Sequence, residues 1–196
     1  MKFVNRIEEQ RRLTAALHSA APAFVVVYGR RRLGKSTLIK KVLSRADVYY
    51  MADQTERSHQ IEMLAKEIGL RIDGFDQLIY PGWQALFEAL NFRTQERFSL
   101  CLDEFPYLAK SSPELPAILQ KLIDSKLLKY NIILCGSSQQ LMHGLVIDAS
   151  SPLYGRADQI LKLSPIPVHY LREAIACSAQ AVVEEYAVWG LSLIHI

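Results

Sequence analysis

The chain has 196 residues, half of them hydrophobic and 22% charged, with 23 Lys and Arg against 20 Asp and Glu for a net charge of +3. That balance excludes an intrinsically disordered chain, because so much apolar surface offsets the entropy of ordering. No run of about 18 apolar residues is free of charge, so a membrane-spanning helix is not expected. The start, MKFVNRIEEQRRL, has no apolar stretch behind its charges, and a cytoplasmic protein is the expectation. Cys101, Cys135 and Cys177 stand far apart without a CxxC pair, which predicts neither a disulfide framework nor a zinc site.

Asn5, with Glu8 three residues on, predicts a capped helix from about Arg6 to His18. Phe24 to Tyr28 is a short, continuous, β-branched run, the pattern of a strand buried on both faces. A turn follows, then a helix over Lys35 to Ser44. Asp47 to Met51 reads as a second strand and Arg57 to Leu70 as a helix. Another helix is expected from Pro81 to Phe92.

Phe98 to Leu102 is a third strand, ended by Asp103 and Glu104. Pro113 to Leu128 carries Leu115, Ile118, Leu119, Leu122 and Ile123 at helical spacing. Asn131 to Cys135 is a fourth strand, and Gln159 to Leu163 a weaker fifth, with Lys162 marking an edge. Strands alternating with helices predict an α/β fold whose parallel sheet is covered on both faces. From Ser164 the strand pattern stops, and Val168 to Trp189 reads as helical, so a domain boundary is placed after residue 163.

Gly29-Arg30-Arg31-Arg32-Leu33-Gly34-Lys35-Ser36 matches G-x-x-x-x-G-K-[ST], a pattern expected by chance in about 1% of chains this long. It follows an apolar strand and opens a helix, as a phosphate-cradling loop requires. Gly29 and Gly34 let the backbone turn and approach the phosphates. The amides from Gly29 through Leu33 to Thr37 then face negative charge at a helix N-terminus. Lys35 is expected on the β and γ phosphates and Ser36 on Mg²⁺. Arg30, Arg31 and Arg32 read either as added phosphate charge or as solvated loop residues.

Asp103 and Glu104 close the third strand at the end where parallel sheets bind ligands. Asp103 is expected to hold Mg²⁺ with Ser36, and Glu104 to orient and polarise an attacking water. After the fourth strand, Ser137 or Ser138 serves either as a hydrogen-bonding group toward the γ-phosphate or as a helix cap. Arg156, in Tyr154-Gly155-Arg156, is a candidate for transition-state charge. The expected ligand is ATP with Mg²⁺. Transfer of phosphate to a small molecule, and a nucleotide-dependent switch with little turnover, stand as alternatives to hydrolysis.

With these motifs in place the chain resembles the archaeal-type ATPases of the AAA+/STAND group of P-loop proteins. The resemblance rests on FVNRIEEQRRL, VVVYGRRRLGKSTL, LCLDEFPYL, ILCGSSQQLM, SPLYGRADQI and EEYAVWG, in that order, from Phe3 to about Gly190. It implies a three-layer P-loop NTPase sandwich with five parallel strands in the order 5-1-4-3-2. It also implies a sensor role for Ser137, an adenine-side position for Val4, Asn5 and Arg6, and an arginine finger at Arg156, in cis or from a neighbouring subunit. ATP hydrolysis coupled to a conformational or assembly change is the implied activity.

Residues 1–163 are accordingly expected to form the ATPase domain and 164–190 the beginning of a helical lid. In this family further C-terminal regions follow, so self-association and a DNA or protein partner engaged through such a region belong to the expectation. The last six residues, Leu191 to Ile196, match the translation of a transposon end used as a sequencing adapter. Residues 191–196 are therefore expected to be a non-native tail.

Overall fold

The computed structural model describes residues 6–165. Five strands form one parallel sheet: β1 (Phe24–Tyr28), β2 (Val48–Met51), β3 (Ser99–Asp103), β4 (Asn131–Gly136) and β5 (Gln159–Lys162). Their order, β2-β3-β4-β1-β5, is 5-1-4-3-2 read from the other edge. The apolar runs explain the placement. β3 and β4 are buried at every position and β1 at all but its last, so they occupy the middle. β5 exposes Ile160 and Lys162 and takes an edge.

Side chains alternate between the two faces, and each face carries its own helical layer. On one, α1 (Ile7–Leu17) and α2 (Lys35–Val42) set Leu13, Leu17, Leu38 and Ile39 against Val25, Val27, Cys101, Ile133 and Cys135. The other is covered by α3 (Arg57–Gly69), α4 (Trp83–Arg93), α5 (Phe105–Ser111) and α6 (Leu115–Asp124). There Leu64, Trp83, Phe87 and Leu119 pack on Phe24, Val26, Leu100, Ile132 and Leu134. The fold is a three-layer α/β sandwich. Among the described residues no helix is long and apolar enough to cross a membrane.

Several elements differ from expectation. The N-cap of α1 is Arg6, in the left-handed region at φ 73°, without a side-chain cap, while Glu8 pairs with Arg11 at 2.8 Å instead of capping. Arg6 is drawn out of helical geometry by its partners, the Glu9 carboxylate and the Leu33 and Ser164 carbonyls. The helix expected over Pro113–Leu128 ends at Asp124, and Lys126 turns the chain with φ 55°. Three elements lacked a sequence signal: α5, α7 (Gln139–Met142), and a π-helical turn over His143–Ile147. Each is too short for periodicity to register, and Pro106 reads as a breaker although it sits harmlessly in the first turn of α5. Cys177, the helix expected over Val168–Trp189 and the tail 191–196 lie outside the described residues.

Candidate nucleotide site

The loop after β1 turns into α2 through Gly34, which adopts φ 79° and leaves the first-turn amides of α2 without a side-chain cap. Such a helix start favours anionic oxygens. Gly29 also lacks room for a side chain, since a Cβ there would lie 2.6 Å from the Leu163 carbonyl oxygen at the end of β5. Leu33 points its side chain into the core beneath the loop. The Lys35 ammonium, almost fully buried, donates to the Gly29 carbonyl at 3.0 Å and to the Arg30 carbonyl at 2.9 Å.

Asp103 ends β3 on the face covered by α2 and is 1% exposed. Its Oδ2 accepts from Ser36 Oγ at 2.6 Å and also from the Tyr49 hydroxyl; its Oδ1 accepts from the Glu104 amide at 2.9 Å. Burial pushes this carboxyl up. Hydrogen bonds from the Cys135 thiol, Ser36, Tyr49 and the Glu104 amide outweigh burial and hold it below the ordinary aspartate value. Stabilisation from a depressed carboxyl is in force above the unfolded value, hence at neutral pH, and is lost as pH falls through the folded value. Burial raises the Cys135 thiol, so it stays protonated and can donate. Ser36 and Asp103 together offer hard oxygen donors, the set that suits Mg²⁺.

Glu104 takes the left-handed conformation at φ 53° and caps α5 with its backbone. A non-glycine residue held there is strained and marks a site where position matters more than local stability. Its Oε2 accepts from Ser137 Oγ at 3.0 Å and from the Ser137 amide at 3.3 Å. Ser138, by contrast, caps α7 by accepting from the Leu141 amide at 3.3 Å. Ser138 thus takes the helix-cap role, while Ser137 bonds the Glu104 carboxylate.

Gly136, just before Ser137, lies close under α5 and α7. A Cβ at Gly136 would sit 2.6 Å from Met142 Sδ and 2.9 Å from Pro106 Cδ. Gly136→Ala is expected to cost about 1–3 kcal/mol of stability through overpacking. Urea unfolding measures this, and a loss under about 0.5 kcal/mol would show that α5 and α7 yield easily.

A cleft of about 750 Å³ opens at the C-terminal ends of the strands, lined by Arg31, Arg32, Gly34 to Thr37, Met51 to Gln54, Glu104, Tyr107 and Ser137. That volume falls within the range of ligand sites, roughly 300–1,000 Å³. Lys35, Ser36, Glu104 and Ser137 come together here, and Asp103 is reached through Ser36. Arg30 is exposed and does not line the cleft, contributing its carbonyl to Lys35. Arg6 is 4% exposed and ties the loop to the chain leaving β5 through the Leu33 and Ser164 carbonyls. Val4 and Asn5 lie outside the described residues.

Arg156 stands apart from this group. It forms a two-pronged pair with Asp124 at the last residue of α6, at 2.8 Å on each prong. Two residues on, the Asp158 amide bonds the Phe24 carbonyl at the start of β1. The loop from Gly29 to Gly34 leaves the other end of that five-residue strand, about 13 Å away at 3.3 Å per residue. Arg156 therefore lies at the opposite end of the sheet from its own chain's cleft.

Sequence reasoning overlooked Tyr49, Tyr107 and the β2–α3 turn. Tyr49 shares a face with Asp103 because it pairs with Cys101, two residues before it. Tyr107 falls on the unrecognised α5, and its hydroxyl accepts from Arg31 Nη2 at 3.2 Å across the cleft. The β2–α3 turn is set by buried Gln60, whose amide donates to the Asp53 and Thr55 carbonyls at 3.2 and 2.9 Å.

Comparison with known proteins follows the same outline. A family model described as an ATPase domain predominantly from Archaea matches residues 3–173. An uncharacterised protein of Methanocaldococcus jannaschii is 33% identical over 174 residues, covering 87% of this chain and 38% of that protein. The chain thus spans well under half the length of this relative. Among solved structures, a Walker-type ATPase of Pyrococcus abyssi superposes with a TM-score of 0.72 at 24% identity, over 94% of this chain and 63% of that one. The Aeropyrum pernix ORC1 protein, solved in complex with DNA, gives a TM-score of 0.64 at 20% identity, over 94% of this chain and 50% of the other. These two likenesses are likenesses of fold; the family model, spanning most of the chain, shows that it belongs to the ATPase domains found predominantly in Archaea.

Proposed function

We propose that the chain binds Mg-ATP in the cleft and hydrolyses it to drive a conformational or assembly change. One observation carries this reading: Lys35, Ser36 and the Ser137–Glu104 pair border a single cleft at the C-terminal end of the sheet, with buried Asp103 bonded to Ser36 behind it. The α2 amides and Lys35 hold the β and γ phosphates, with Lys35 exchanging its carbonyl partners for anionic oxygens. Ser36 and Asp103 would hold Mg²⁺, whose charge would offset that of the bound phosphates. Glu104 orients a water and accepts its proton as the water oxygen bonds to the γ-phosphorus. The bond from that phosphorus to the bridging oxygen breaks, its electron pair stays on ADP, and inorganic phosphate leaves.

A second reading, a nucleotide-dependent switch with little turnover, draws support from the same site, because the Glu104 carboxylate is engaged by Ser137 and must be released to meet water. The nucleotide-binding unit is assigned to residues 1–163, the lid to 164–190, and the setting to the cytoplasm. The likeness to the ORC1 protein makes DNA a partner worth testing, alongside self-association. The deciding measurement is ADP and inorganic phosphate release from Mg-ATP, with and without duplex DNA. Equal amounts of both products support hydrolysis. ADP without phosphate points to transfer onto an acceptor, and tight binding without either product points to the switch.

Arg156 enters this reading only through another copy of the chain. Arg156→Ala is expected to leave Mg-ATP affinity within about twofold, and to lower kcat only at concentrations where copies associate. Calorimetry and turnover across a dilution series check this. A kcat loss unaffected by dilution would mean that Arg156 acts within one chain.

A further inference from the structure

We propose that Arg31, from the phosphate loop itself, is a catalytic residue that stabilises the transferring phosphoryl group within the same chain, and that Tyr107 holds it ready until nucleotide arrives. The inference rests on the reading that this cleft hydrolyses Mg-ATP.

Hydrolysis spreads negative charge over the γ-phosphoryl oxygens and the bridging oxygen, and a cation placed there accelerates the step. Arg156 is removed from this role within one chain by the length of the sheet. Lys35, beside the Gly29 and Arg30 carbonyls, already serves as the cation that binds the β and γ phosphates. Among the described residues, the arginines lining the cleft are Arg31 and Arg32. Of the two, Arg31 has its guanidinium anchored across the opening, where Nη2 donates to Tyr107 Oη at 3.2 Å.

Tyr107 belongs to the turn that Glu104 caps, since its amide donates to the Glu104 carbonyl at 2.9 Å. Arg31 therefore spans from the phosphate loop to the segment that carries the water-polarising carboxylate. The γ-phosphate, lying between Lys35 and Glu104, comes under that span. The phenol is a neutral acceptor, and anionic oxygens make stronger, charge-assisted bonds with a guanidinium. Nucleotide thus draws Arg31 off Tyr107. The planar fork can follow charge as it develops on two oxygens, whereas a lysine offers a single point of charge. When the water oxygen bonds to phosphorus and ADP departs with the electron pair of the broken bond, Arg31 changes no protonation; it contributes charge and hydrogen bonds only.

The test compares binding of Mg-ADP with binding of Mg-ADP plus aluminium fluoride, a mimic of the planar phosphoryl group, by calorimetry on the full chain. Turnover is measured in parallel. Arg31→Ala is expected to leave Mg-ADP affinity within about threefold while weakening the aluminium fluoride complex about 100-fold, with kcat falling by a similar factor. Arg31→Lys should recover part of the trap. Tyr107→Phe removes only the resting partner, so it should leave the trap as tight as in the parent or up to about threefold tighter. Arg11→Ala, which removes an exposed charge on α1, controls for net charge and should shift neither complex.

Parent-level affinity of Arg31→Ala for both complexes would make Arg31 a solvated loop residue and overturn the proposal. Equal loss of both would assign it to general phosphate binding, and a Tyr107→Phe defect matching that of Arg31→Ala would make the pair a structural latch. A parent chain that binds Mg-ADP and forms the trap, with an unaffected Arg31→Ala, sinks this inference alone. A parent chain that forms no trap and releases no phosphate sinks the underlying reading with it.

Discussion

Glu104→Gln is expected to reduce phosphate release by about 1,000-fold while leaving Mg-ATP affinity within about threefold. The substitution keeps the shape of the side chain and an oxygen to accept from the Ser137 hydroxyl and amide, now 3.0 and 3.3 Å from Oε2. It removes the charge that lets the carboxylate take a proton from water. Because Glu104 also caps α5 with its backbone at φ 53°, the side-chain change leaves the strained turn in place. Single-turnover phosphate release and calorimetry, run side by side, separate the two effects. An equal fall in both would mean that Glu104 holds the cleft together structurally. Turnover near the parent level would remove it from the chemistry.

Lys35→Ala is the second large effect, and it falls on binding. The ammonium is almost fully buried and joins two carbonyls of its own loop. Removing it takes away the charge-assisted bonds to phosphate and leaves those carbonyl oxygens facing an anion. Affinity for Mg-ATP and for Mg-ADP is expected to fall by more than about 100-fold. The unfolding midpoint without nucleotide should move little, since water at the open cleft can satisfy the carbonyls. Calorimetry together with thermal unfolding tests both halves. Unchanged affinity would contradict the phosphate-loop assignment.

The parts of the fold legible in the sequence are those governed by local patterning. The runs at Phe24–Tyr28, Ser99–Asp103 and Asn131–Gly136 read as central strands because side chains buried on both faces must be apolar throughout. Lys162 in β5 marked an edge for the same reason in reverse. The phosphate loop was legible because its chemistry is contiguous: one loop, one helix start, one lysine. Helix ends were less so. The cap of α1 falls at Arg6, whose guanidinium bonds the Leu33 and Ser164 carbonyls, contacts made only after folding.

Elsewhere the missing information was distance across the sheet. Ser137 and Ser138 are equivalent by sequence, and only the fold sets one against Glu104 and the other at the cap of α7. Tyr49 reaches Asp103 through register, 54 residues away in the chain. Arg156 carried a signal that was within reach. In a parallel sheet a residue just before a strand lies at the opposite end from one just after a strand, so its place ahead of β5 already set it apart from the loop after β1.

By itself the sequence determined a parallel α/β chain with a glycine-containing loop between its first strand and helix and a pair of carboxylates at a strand end, because periodicity and contiguous motifs are local properties. The opening balance of +3 over 196 residues pointed to no particular partner. Tertiary structure decided where the charges sit, setting Arg31 across the cleft against Tyr107 and Arg156 against Asp124 at the far end. The reason is physical: an ionic contribution depends on separation and on burial, and the fold alone sets both.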